Sequence, residues 1–344
     1  MRSMNETSRF FFITADDRTG ALEIGGVLAS KHQSIAVGPS ADDPVQCVVD
    51  IDSRHLDPST ATSRMVAVHQ VPAKYRAHKM DSGLRGNWTH ESRALVELGF
   101  RVSVVPSYPS AGRRCDDGVV YIDDVVLLDS PFGSDPFSAP CSSKPIEVLE
   151  ADGCLCNEIE VWNANTDEEL RQAVVRCLQE NRVLVGPTGA IEVLGREIYS
   201  NSLGCFQTLR KPILIACGSL NSTSRRQIAK LRVPRLTLDS PPGAFGSVAT
   251  LSTPMTSESL TTQEANEMAR RFTDAINRFK PFAASIIVIG GDTVASLLGD
   301  TTTSVIGTAD TGIPVSQIDS ILLATKGGGI GQPDTLMKLV GSSD

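Results

Sequence analysis

Short apolar runs alternate with longer segments of helical periodicity along the chain. Many of these runs are apolar on both faces and end at a glycine or a small polar residue, which is typical of central strands in a covered sheet. The predicted strands are Phe10–Thr14, Cys47–Ile51, Ala77–Met80, Arg101–Val105, Arg182–Val185, Ile213–Cys217, Ser285–Ile289 and Ile321–Thr325. Their alternation with helical segments predicts an α/β fold with largely parallel sheets.

Three helices are clearly marked by their periodicity. Thr166 and Glu169 form a Thr-x-x-Glu capping box, and an apolar position then recurs every three or four residues. The same period runs through Ala265–Phe279, and a more mixed one follows Asn87. We expect Trp88, at the start of this last helix, to anchor the core rather than to contact a ligand.

The length of 344 residues favours two domains over one. Two segments are expected to be irregular: Asp129–Pro145, with four prolines, as a surface excursion, and Pro241–Pro254, rich in small residues, as a connection. A new apolar strand follows Ser200–Lys211, so the domain boundary is expected there. The predicted domains are therefore 1–205 and 206–344.

Composition narrows the class of protein. Hydrophobic residues make up 41% and charged residues 21% of the chain, which excludes a disordered or coiled-coil protein. The net charge of −8 argues against nucleic acid or an anionic membrane as the main partner. No apolar run approaches the roughly 20 residues of a membrane helix. The eight cysteines are scattered without a Cys-x-x-Cys pair, which disfavours zinc and favours a cytoplasmic protein with reduced thiols.

The first candidate site is a pair of carboxylates, Asp16 and Asp17, between the first predicted strand and a helix. Ligands of open α/β sheets bind at this end of the strands. Carboxylates there can hold Mg²⁺, accept a hydroxyl proton or bind a polyol. Alternatively, one aspartate caps the helix. Because one cap does not need two carboxylates, the pair favours a functional site.

The second candidate site again follows a predicted strand. Its polar residues are Lys79, Asp81, Ser82, Arg85 and Asn87, with two glycines among them. Lysine and arginine bind carboxylates or phosphates, arginine in a bidentate manner, while aspartate and asparagine bind hydroxyls. A solvated turn with an internal ion pair is the alternative, and the segment alone does not decide between the two.

Glycine dominates a third group in the second half of the chain. It consists of Gly218 and Ser219, of Gly290, Gly291, Asp292 and Thr293, and of Lys326, Gly327, Gly328, Gly329 and Gly331. Each set follows a predicted strand, where the backbone can approach a phosphate closely. Glycine is also the default turn residue, but three such strand ends together favour a phosphate site. The standard P-loop, dinucleotide-binding, zinc-protease and nucleophile-elbow motifs are missing.

Two of these segments resemble motifs of the four-carbon acid sugar kinase family. Asp16–Ala21 resembles that family's Asp-Asp-Leu-Thr-Gly-Ala, and Lys79–Asn87 resembles its Lys-x-Asp-Ser-Thr-Leu-Arg-Gly-Asn. Further segments are similar in the same order: Asp50–Leu56, Pro106–Gly118, Tyr121–Ile122, Gly218–Ser219, Arg225–Ile228, Gly290–Thr293, Gly312–Pro314 and Lys326–Gly331. The chain departs from the family pattern at Arg18, Gly83 and Gly327, where leucine, threonine and serine are usual.

The resemblance implies a sugar-acid-binding domain at 1–205 and a nucleotide-binding domain at 206–344. It implies ATP-dependent phosphorylation of threonate, erythronate or 3-oxo-tetronate at the terminal hydroxyl, with ATP and Mg²⁺ as cofactors. Because neither half carries both sets of groups, the active site is expected in an interdomain cleft. A homodimer is a further expectation, and the ligands of the metal stay unassigned.

We assign expected roles on this basis. Asp17, or else Asp16, orients and deprotonates the attacking hydroxyl, while Lys79 and Arg85 clamp the carboxylate of the sugar acid or the transferring phosphoryl group. The residues assigned to the substrate are Asp81, Ser82, Asn87 and Arg54, and those of the glycine-rich group are assigned to the nucleotide or the metal. The alternative is a non-catalytic protein that binds a sugar acid or a nucleotide. An oxidoreductase is disfavoured by the missing dinucleotide motif.

Overall fold

The computed structural model divides into two compact units. It describes residues 9–39, 46–135, 138–199, 203–254 and 262–341. Within these residues, the first unit belongs to Met1–Ile24 and Ala36–Leu203, and the second to Gly25–Ile35 and Gly204–Asp344. The functional roles expected for 1–205 and 206–344, and the cleft expected between them, stay predictions.

The elements of the first unit alternate between strands and helices. Its strands are β1 (Arg9–Ala15), β2 (Ile35–Gly38), β3 (Gln46–Asp50), β4 (Ala73–Lys79), β5 (Val102–Val104), β6 (Arg113–Asp116), β7 (Val119–Ile122), β8 (Val125–Val126), β9 (Ile159–Val161) and β10 (Val183–Gly186). Its helices are α1 (Arg18–Leu28), α2 (Pro58–His69), α3 (Trp88–Glu97), α4 (Pro145–Ala151), α5 (Asp167–Gln179) and α6 (Thr188–Tyr199). The division between the units falls within α1 and β2.

The main sheet of the first unit has the strand order β2-β3-β1-β4-β10-β5-β9, and these six pairings are parallel. Strands β1 and β4 are neighbours in register, with Ala15 opposite Lys79. After β1 the polypeptide continues to β2, which lies on one side of β1 in the sheet, and after β4 it continues to β5, which lies on the opposite side. The carboxyl ends of β1 and β4 therefore form the topological switch point, where open sheets bind ligands.

The core of this unit lies where α2 and α3 pack on one face of the sheet. Trp88 is 1% exposed and its ring N–H donates to the carbonyl of Leu84, so its predicted role as a core anchor is confirmed. The Thr166 side chain accepts the N–H of Glu169, which confirms the predicted cap of α5. A separate antiparallel sheet of β6, β7 and β8 was not predicted.

The second unit contains the remaining elements. Its strands are β11 (Ile213–Cys217), β12 (Arg235–Leu236), β13 (Val248–Ser252), β14 (Ser285–Ile289), β15 (Thr303–Asp310), β16 (Ile313–Ile318) and β17 (Ile321–Lys326). Its helices are α7 (Ser222–Lys230), α8 (Thr262–Phe279), α9 (Gly291–Leu298) and α10 (Thr335–Val340).

The strands of the second unit have the order β12-β13-β11-β14-β17-β16-β15, in which the first five strands are parallel and the last two pairings are antiparallel. The order β12-β13-β11-β14 repeats the order β2-β3-β1-β4 of the first unit. The switch point of this sheet therefore lies between β11 and β14, at Gly218 and Gly290. The predicted α/β class with largely parallel sheets is confirmed.

Two predictions of irregular structure are wrong in part. Pro241–Pro254 contains β13, which lies between β11 and β12 and whose apolar residues Val248, Ala249 and Leu251 are buried. In the segment Asp129–Pro145, which was predicted to be a surface excursion, Phe132 packs against the core of the first unit. Residues 136–137 of this segment lie outside the described part of the chain. None of the described helices has the length and apolar character needed to cross a bilayer.

Candidate functional site

A cluster of acidic and basic side chains lies at the carboxyl ends of β1 and β4. The Arg54 guanidinium donates from Nε to Asp16 Oδ2 and from Nη1 to Asp17 Oδ2, both at 2.8 Å. Lys79 Nζ lies 3.5 Å from Asp16 Oδ1 and 3.5 Å from Asp17 Oδ1. The sequence thus placed the two aspartates and Lys79 at strand ends, and the structure brings them together around Arg54.

Glycine 20 makes room for this arrangement. A Cβ atom on Gly20 would lie 2.4 Å from Lys79 Nζ and 2.6 Å from Asp17 Oδ1. The N–H of Gly20 donates to Asp17 Oδ1 at 2.9 Å, so Asp17 caps α1 as the alternative interpretation proposed. Its second oxygen still binds Arg54, and the side chain is 24% exposed, which leaves it accessible to a ligand.

In this cluster, the neighbouring opposite charges outweigh the effect of burial on each pKa. Burial raises the pKa of Asp17, but Arg54 and Lys79 outweigh it and hold that pKa below its usual range. Burial lowers the pKa of Lys79, but Asp16 and Asp17 outweigh it, so the pKa of Lys79 is raised. The same two carboxylates, with Asp81, raise the pKa of Arg54 against its burial.

A second group is built on Asp81 and Arg85. Arg85 binds Asp81 in a bidentate manner, from Nε to Oδ2 at 2.9 Å and from Nη2 to Oδ1 at 2.8 Å. Its Nη1 donates to Asp135 Oδ2 at 2.7 Å, and its guanidinium lies 4.9 Å from the centre of the Phe132 ring. A Cβ on Gly83 would lie 2.1 Å from that ring, so Phe132 occupies the space that a side chain at position 83 would need.

The ion pair between Asp81 and Arg85 shifts the pKa values of both residues. Burial raises the pKa of Asp81, but the hydrogen bonds from Arg85 and the charge of Arg54 outweigh it and lower that pKa strongly. Burial likewise lowers the pKa of Arg85, but its partner Asp81 outweighs this effect and raises that pKa.

The loop around Arg85 contains two residues in the left-handed backbone region. Leu84 has φ of +56° and Gly86 has φ of +83°. Such conformations cost energy in a non-glycine residue and persist where the surrounding contacts enforce them.

The remaining residues assigned to the substrate lie beside this group. Asn87 Nδ2 donates to the carbonyls of Ser53 at 2.7 Å and Leu56 at 2.9 Å, so Asn87 holds the turn that carries Arg54. Ser82 is half-buried in the turn after Asp81. Whether Ser82 and Asn87 also contact a substrate stays a prediction.

Sequence reasoning missed two carboxylates near the cluster. Burial raises the pKa of Glu23, and Thr188 Oγ1 donates to Glu23 Oε2 at 3.0 Å. Burial also raises the pKa of Asp50, to about 7. Asp50 ends β3, opposite Ala15, and therefore lies at the same edge of the sheet as Asp16. Parallel pairing of β3 with β1 was the signal that would have found it.

The second unit holds a buried lysine of a different kind. Lys326 ends β17, is 0% exposed, and donates from Nζ to Ser224 Oγ at 3.1 Å and to the carbonyl of Gly327 at 3.0 Å. Within the described residues, no carboxylate forms an ion pair with it. Burial lowers the pKa of Lys326 to about 8, because a charge without a counter-charge is costly in an apolar interior.

The predicted glycine positions are sites of close approach. A Cβ on Gly218 would lie 1.9 Å from Thr293 Oγ1, and one on Gly328 would lie 2.3 Å from Ser219 Oγ. Gly290 has φ of +117°, and its Cβ would lie 3.1 Å from the nitrogen of Ser219. The structure therefore brings all three predicted glycine segments together at the carboxyl edge of this sheet.

The backbone donors of these segments differ in their availability. The N–H groups of Gly218 and Ser219 donate to the carbonyl of Ile289, and that of Gly290 donates to the carbonyl of Lys326, so these three are already bonded. No side chain caps α9, which begins at Gly291. Its first N–H groups have no intrahelical acceptor and can bind an anion.

Two residues outside the predicted set hold the loops in place. Arg225 donates from Nε to the carbonyl of Ser219 at 2.7 Å and from Nη1 to the carbonyl of Thr253 at 2.9 Å. Gln227 donates to the carbonyls of Ile330 and Gln332, at 3.2 and 2.7 Å. Both lie within a segment that resembles the kinase family, but that likeness alone gave them no role.

These residues fit the phosphates of a nucleotide. An uncompensated cation, an uncapped helix start and glycines whose Cβ atoms would fill the space are the features that favour phosphate binding. Among the described residues, no group of three or more His, Cys, Asp or Glu side chains is placed to hold a metal ion. Mg²⁺ at such sites takes one or two carboxylates with phosphate oxygens and waters, and the exposed Asp292 is one carboxylate at this edge.

The family of the protein follows from its sequence. A family model described as a sugar-binding N-terminal domain matches residues 11–189, which contain the whole cluster around Arg54. The chain belongs to this family. The resemblance to the four-carbon acid sugar kinases is thereby confirmed, and the sugar-binding N-terminal domain coincides with most of the first unit.

Several kinases are similar to this member of the sugar-binding family. The chain is 33% identical to the D-threonate kinase of Cupriavidus necator, over 35% of this chain and 31% of that protein. It is 25% identical to the D-threonate kinases of Salmonella typhimurium and Bordetella bronchiseptica, over 63% and 95% of this chain and 59% and 95% of those proteins. The chain therefore matches less than two thirds of the length of the Cupriavidus and Salmonella proteins.

Solved structures share the fold. A crystal structure from Salmonella typhimurium LT2 has a TM-score of 0.79 at 17% identity, covering 96% of this chain and 98% of its own. A Haemophilus influenzae protein of family DUF1537 has a TM-score of 0.71 at 17% identity, covering 96% and 99%. These likenesses bear on the fold alone.

Proposed function

We propose that this protein is a kinase that transfers the terminal phosphoryl group of ATP to a hydroxyl group of a four-carbon sugar acid, with D-threonate as the first candidate. The names of the similar kinases support this proposal. The chemistry of the two sites supports it independently.

The observation that carries the proposal is the environment of Arg54. Its Nη2 is buried and, among the described residues, has no hydrogen-bond partner; Asp81 Oδ1 is 3.8 Å away. A buried donor without an acceptor is costly, so an oxygen of a ligand would stabilise it. Asp16, Asp17 and Asp81 surround the same guanidinium and can accept hydrogen bonds from hydroxyls. A polyhydroxy acid offers both kinds of group in one molecule.

Asp17 would orient the attacking hydroxyl. Its lowered pKa keeps it ionised at neutral pH, so it can accept a hydrogen bond, but it is a weak base. This suffices because the loose transition state of phosphoryl transfer depends on positioning and charge stabilisation more than on early proton removal. Lys79 and Arg54 would stabilise the negative charge that accumulates on the transferring group.

The residues proposed for ATP lie in the second unit. Lys326 would bind a phosphate oxygen and so gain the counter-charge that it lacks. The N–H groups at the start of α9 would bind a second phosphate, and Ser219, Asp292 and Thr293 would contact the nucleotide or Mg²⁺. Mg²⁺ would neutralise charge on the phosphates during transfer.

A screen for ADP release tests this function. Purified full-length protein with ATP and Mg²⁺ is offered the stereoisomers of threonate and erythronate and 3-oxo-tetronate, one at a time, in a coupled ADP assay. We expect ADP release that depends on one of these acids and is absent without it. Binding of a sugar acid by calorimetry without ADP release would contradict the proposal and support a non-catalytic binding protein.

A further inference from the structure

A chain of buried hydrogen bonds lies directly beneath the cluster around Arg54. Thr14 Oγ1 is 2.9 Å from His69 Nε2 and 2.9 Å from His78 Nδ1. His78 Nε2 is 2.8 Å from Glu91 Oε2, and the other oxygen of Glu91 accepts the hydroxyl of Ser53. These five side chains are 0–2% exposed. They connect α2, β1, β4 and α3 with the turn after β3.

The guanidinium of Arg76 determines the direction of the hydrogen bonds at His69. Arg76 Nη1 lies 3.4 Å from His69 Nδ1 and can only donate, so Nδ1 accepts and Nε2 of His69 carries the hydrogen. Burial lowers the pKa of His69 well below its usual value, which keeps the ring neutral. Thr14 Oγ1 then accepts from His69 and donates to His78 Nδ1, a better acceptor than Met65 Sδ at 3.7 Å.

The direction continues to the turn that carries Arg54. His78 donates from Nε2 to Glu91, whose second oxygen accepts the hydroxyl of Ser53. The backbone N–H groups of Ser53 and Arg54 both donate to the carbonyl of Asp16, at 3.0 and 3.2 Å. Ser53 is therefore held from two sides, by α3 and by the end of β1, and the next residue is Arg54.

A contribution to folding stability alone does not explain why these buried polar side chains are present. A buried carboxylate loses its hydration, and an apolar core of equal volume is often as stable as a buried ionisable pair. Three of the hydrogen-bonded residues lie next to residues of the site in the sequence. Thr14 lies two positions before Asp16, Ser53 directly before Arg54, and His78 directly before Lys79.

We propose that Glu91 and Ser53 are positioning residues that hold the turn of Arg54, so that its guanidinium lies against Asp16 and Asp17. The consequence for sugar-acid binding rests on the proposed function. The consequence for the guanidinium itself does not, because its bonds to the two aspartates are made entirely by residues of this chain.

The test compares two single hydroxyl deletions, Ser53→Ala and Ser103→Ala. Ser103 is the matched control: its hydroxyl is also 0% exposed and accepts a bond from Arg182 Nε at 2.9 Å, in β5. The first readout is the ¹H–¹⁵N signal of the Arg54 Nε–H, assigned by its loss in Arg54→Lys. We expect this signal in the wild type and in Ser103→Ala, and its broadening or loss in Ser53→Ala.

The second readout is kinetic. We expect Ser53→Ala to raise KM for D-threonate about tenfold while KM for ATP stays unchanged, because a small displacement of a substrate-binding group costs binding. Glu91→Gln should restore most of what Glu91→Ala loses, since its amide can accept from His78 and donate to Ser53 Oγ. An equal effect of Ser53→Ala and Ser103→Ala on the Arg54 signal and on KM would overturn the proposal.

The two proposals fail separately. If the wild type phosphorylates no sugar acid, the proposed function fails, but the Arg54 signal still decides whether Ser53 and Glu91 position the guanidinium. If Glu91→Ala does not fold, Ser53→Ala, which removes only one oxygen, still decides.

Discussion

Lys79 and Lys326 are both buried lysines at the carboxyl ends of parallel strands, one in each unit, but their surroundings are opposite. Lys79 lies 3.5 Å from each of two carboxylates, Asp16 and Asp17. Lys326 contacts a hydroxyl and a carbonyl, and no carboxylate among the described residues pairs with it. Burial lowers the pKa of Lys326 to about 8, whereas the carboxylates raise the pKa of Lys79 against its burial.

The difference indicates what each site lacks. The first site compensates its own charges, and among the described residues Nη2 of Arg54 has no hydrogen-bond partner, so the site suits a ligand with hydroxyls and an anionic group. The second site has a cation, Lys326, that no carboxylate among the described residues pairs with, so it suits a phosphate. The same strand order surrounds both switch points, and the side chains at the strand ends decide the ligand.

The largest effect is expected from removing a charge on the compensated side. Asp17→Asn retains an oxygen that can accept the Gly20 N–H, so the cap of α1 and the melting temperature should change little. Turnover should fall by roughly 100-fold or more, because the charge that orients the hydroxyl is lost. Steady-state kinetics with calorimetric ATP binding checks this. Unchanged turnover would leave Asp17 with the capping role alone.

A substitution at the uncompensated side should separate the two ligands. In Gly328→Val, a Cβ would lie 2.3 Å from Ser219 Oγ, so the glycine loop cannot keep its position. ATP should then no longer raise the melting temperature, while D-threonate binding persists in calorimetry. Gly243→Val is the control, because a Cβ at Gly243 meets no atom within 4 Å. Loss of D-threonate binding with ATP binding intact would reverse the assignment of the units.

Within the first unit, Arg85 tests whether bidentate geometry matters. Arg85→Lys keeps the charge but cannot bind Asp81 and Asp135 together, because an ammonium lacks the planar fork. We expect a loss of about 2 kcal/mol of transition-state stabilisation, roughly 30-fold in kcat/KM for the sugar acid. Arg176→Lys, at an exposed pair with Glu180, serves as the control. Equal kinetics of the two variants would show that Arg85 is a surface ion-pair partner.

The smallest effect concerns stability and distinguishes the two lysines directly. The folded pKa of Lys326, about 8, lies below its ordinary value of 10.5. Below pH 8 the folded protein bears the full cost of the buried charge; between pH 8 and 10.5 it loses this proton before the unfolded chain does, so this cost falls as pH rises.

Lys326→Met should therefore melt several degrees above the wild type at pH 7, and the gain should vanish toward pH 10.5. Lys79→Met should instead lower the melting temperature at pH 7, because it leaves Asp16 and Asp17 less compensated. Melting curves between pH 7 and 10.5 check both. A destabilising Lys326→Met at pH 7 would show that the lysine already has a counter-charge.

Local pattern was sufficient for much of the fold. The strands Ile213–Cys217 and Ser285–Ile289 have the predicted bounds, because both are apolar on each face and end at glycine. Strand β13 was missed since its small residues resemble those of a loop; its burial depends on neighbours that are distant in sequence.

The candidate site was predictable only where it follows strand ends. Asp16, Asp17 and Lys79 could be placed together because parallel strands end at one edge of a sheet. Asp135 pairs with Arg85 across 50 residues, and no local pattern predicts that return of the chain. That no carboxylate among the described residues pairs with Lys326 could not be predicted either, because it depends on everything that surrounds this side chain.

Proton uptake on nucleotide binding tests the contrast between the two lysines most directly. Because the pKa of Lys326 is about 8, part of the Lys326 side chains are neutral at pH 8, and a bound phosphate would raise that pKa. Calorimetric titration of the wild type with ATP and Mg²⁺, in two buffers of different ionisation enthalpy, should therefore show net proton uptake. Lys326→Met should show none and should bind ATP more weakly. No uptake by the wild type, or equal ATP binding by the two proteins, would contradict the assignment of Lys326 to phosphate.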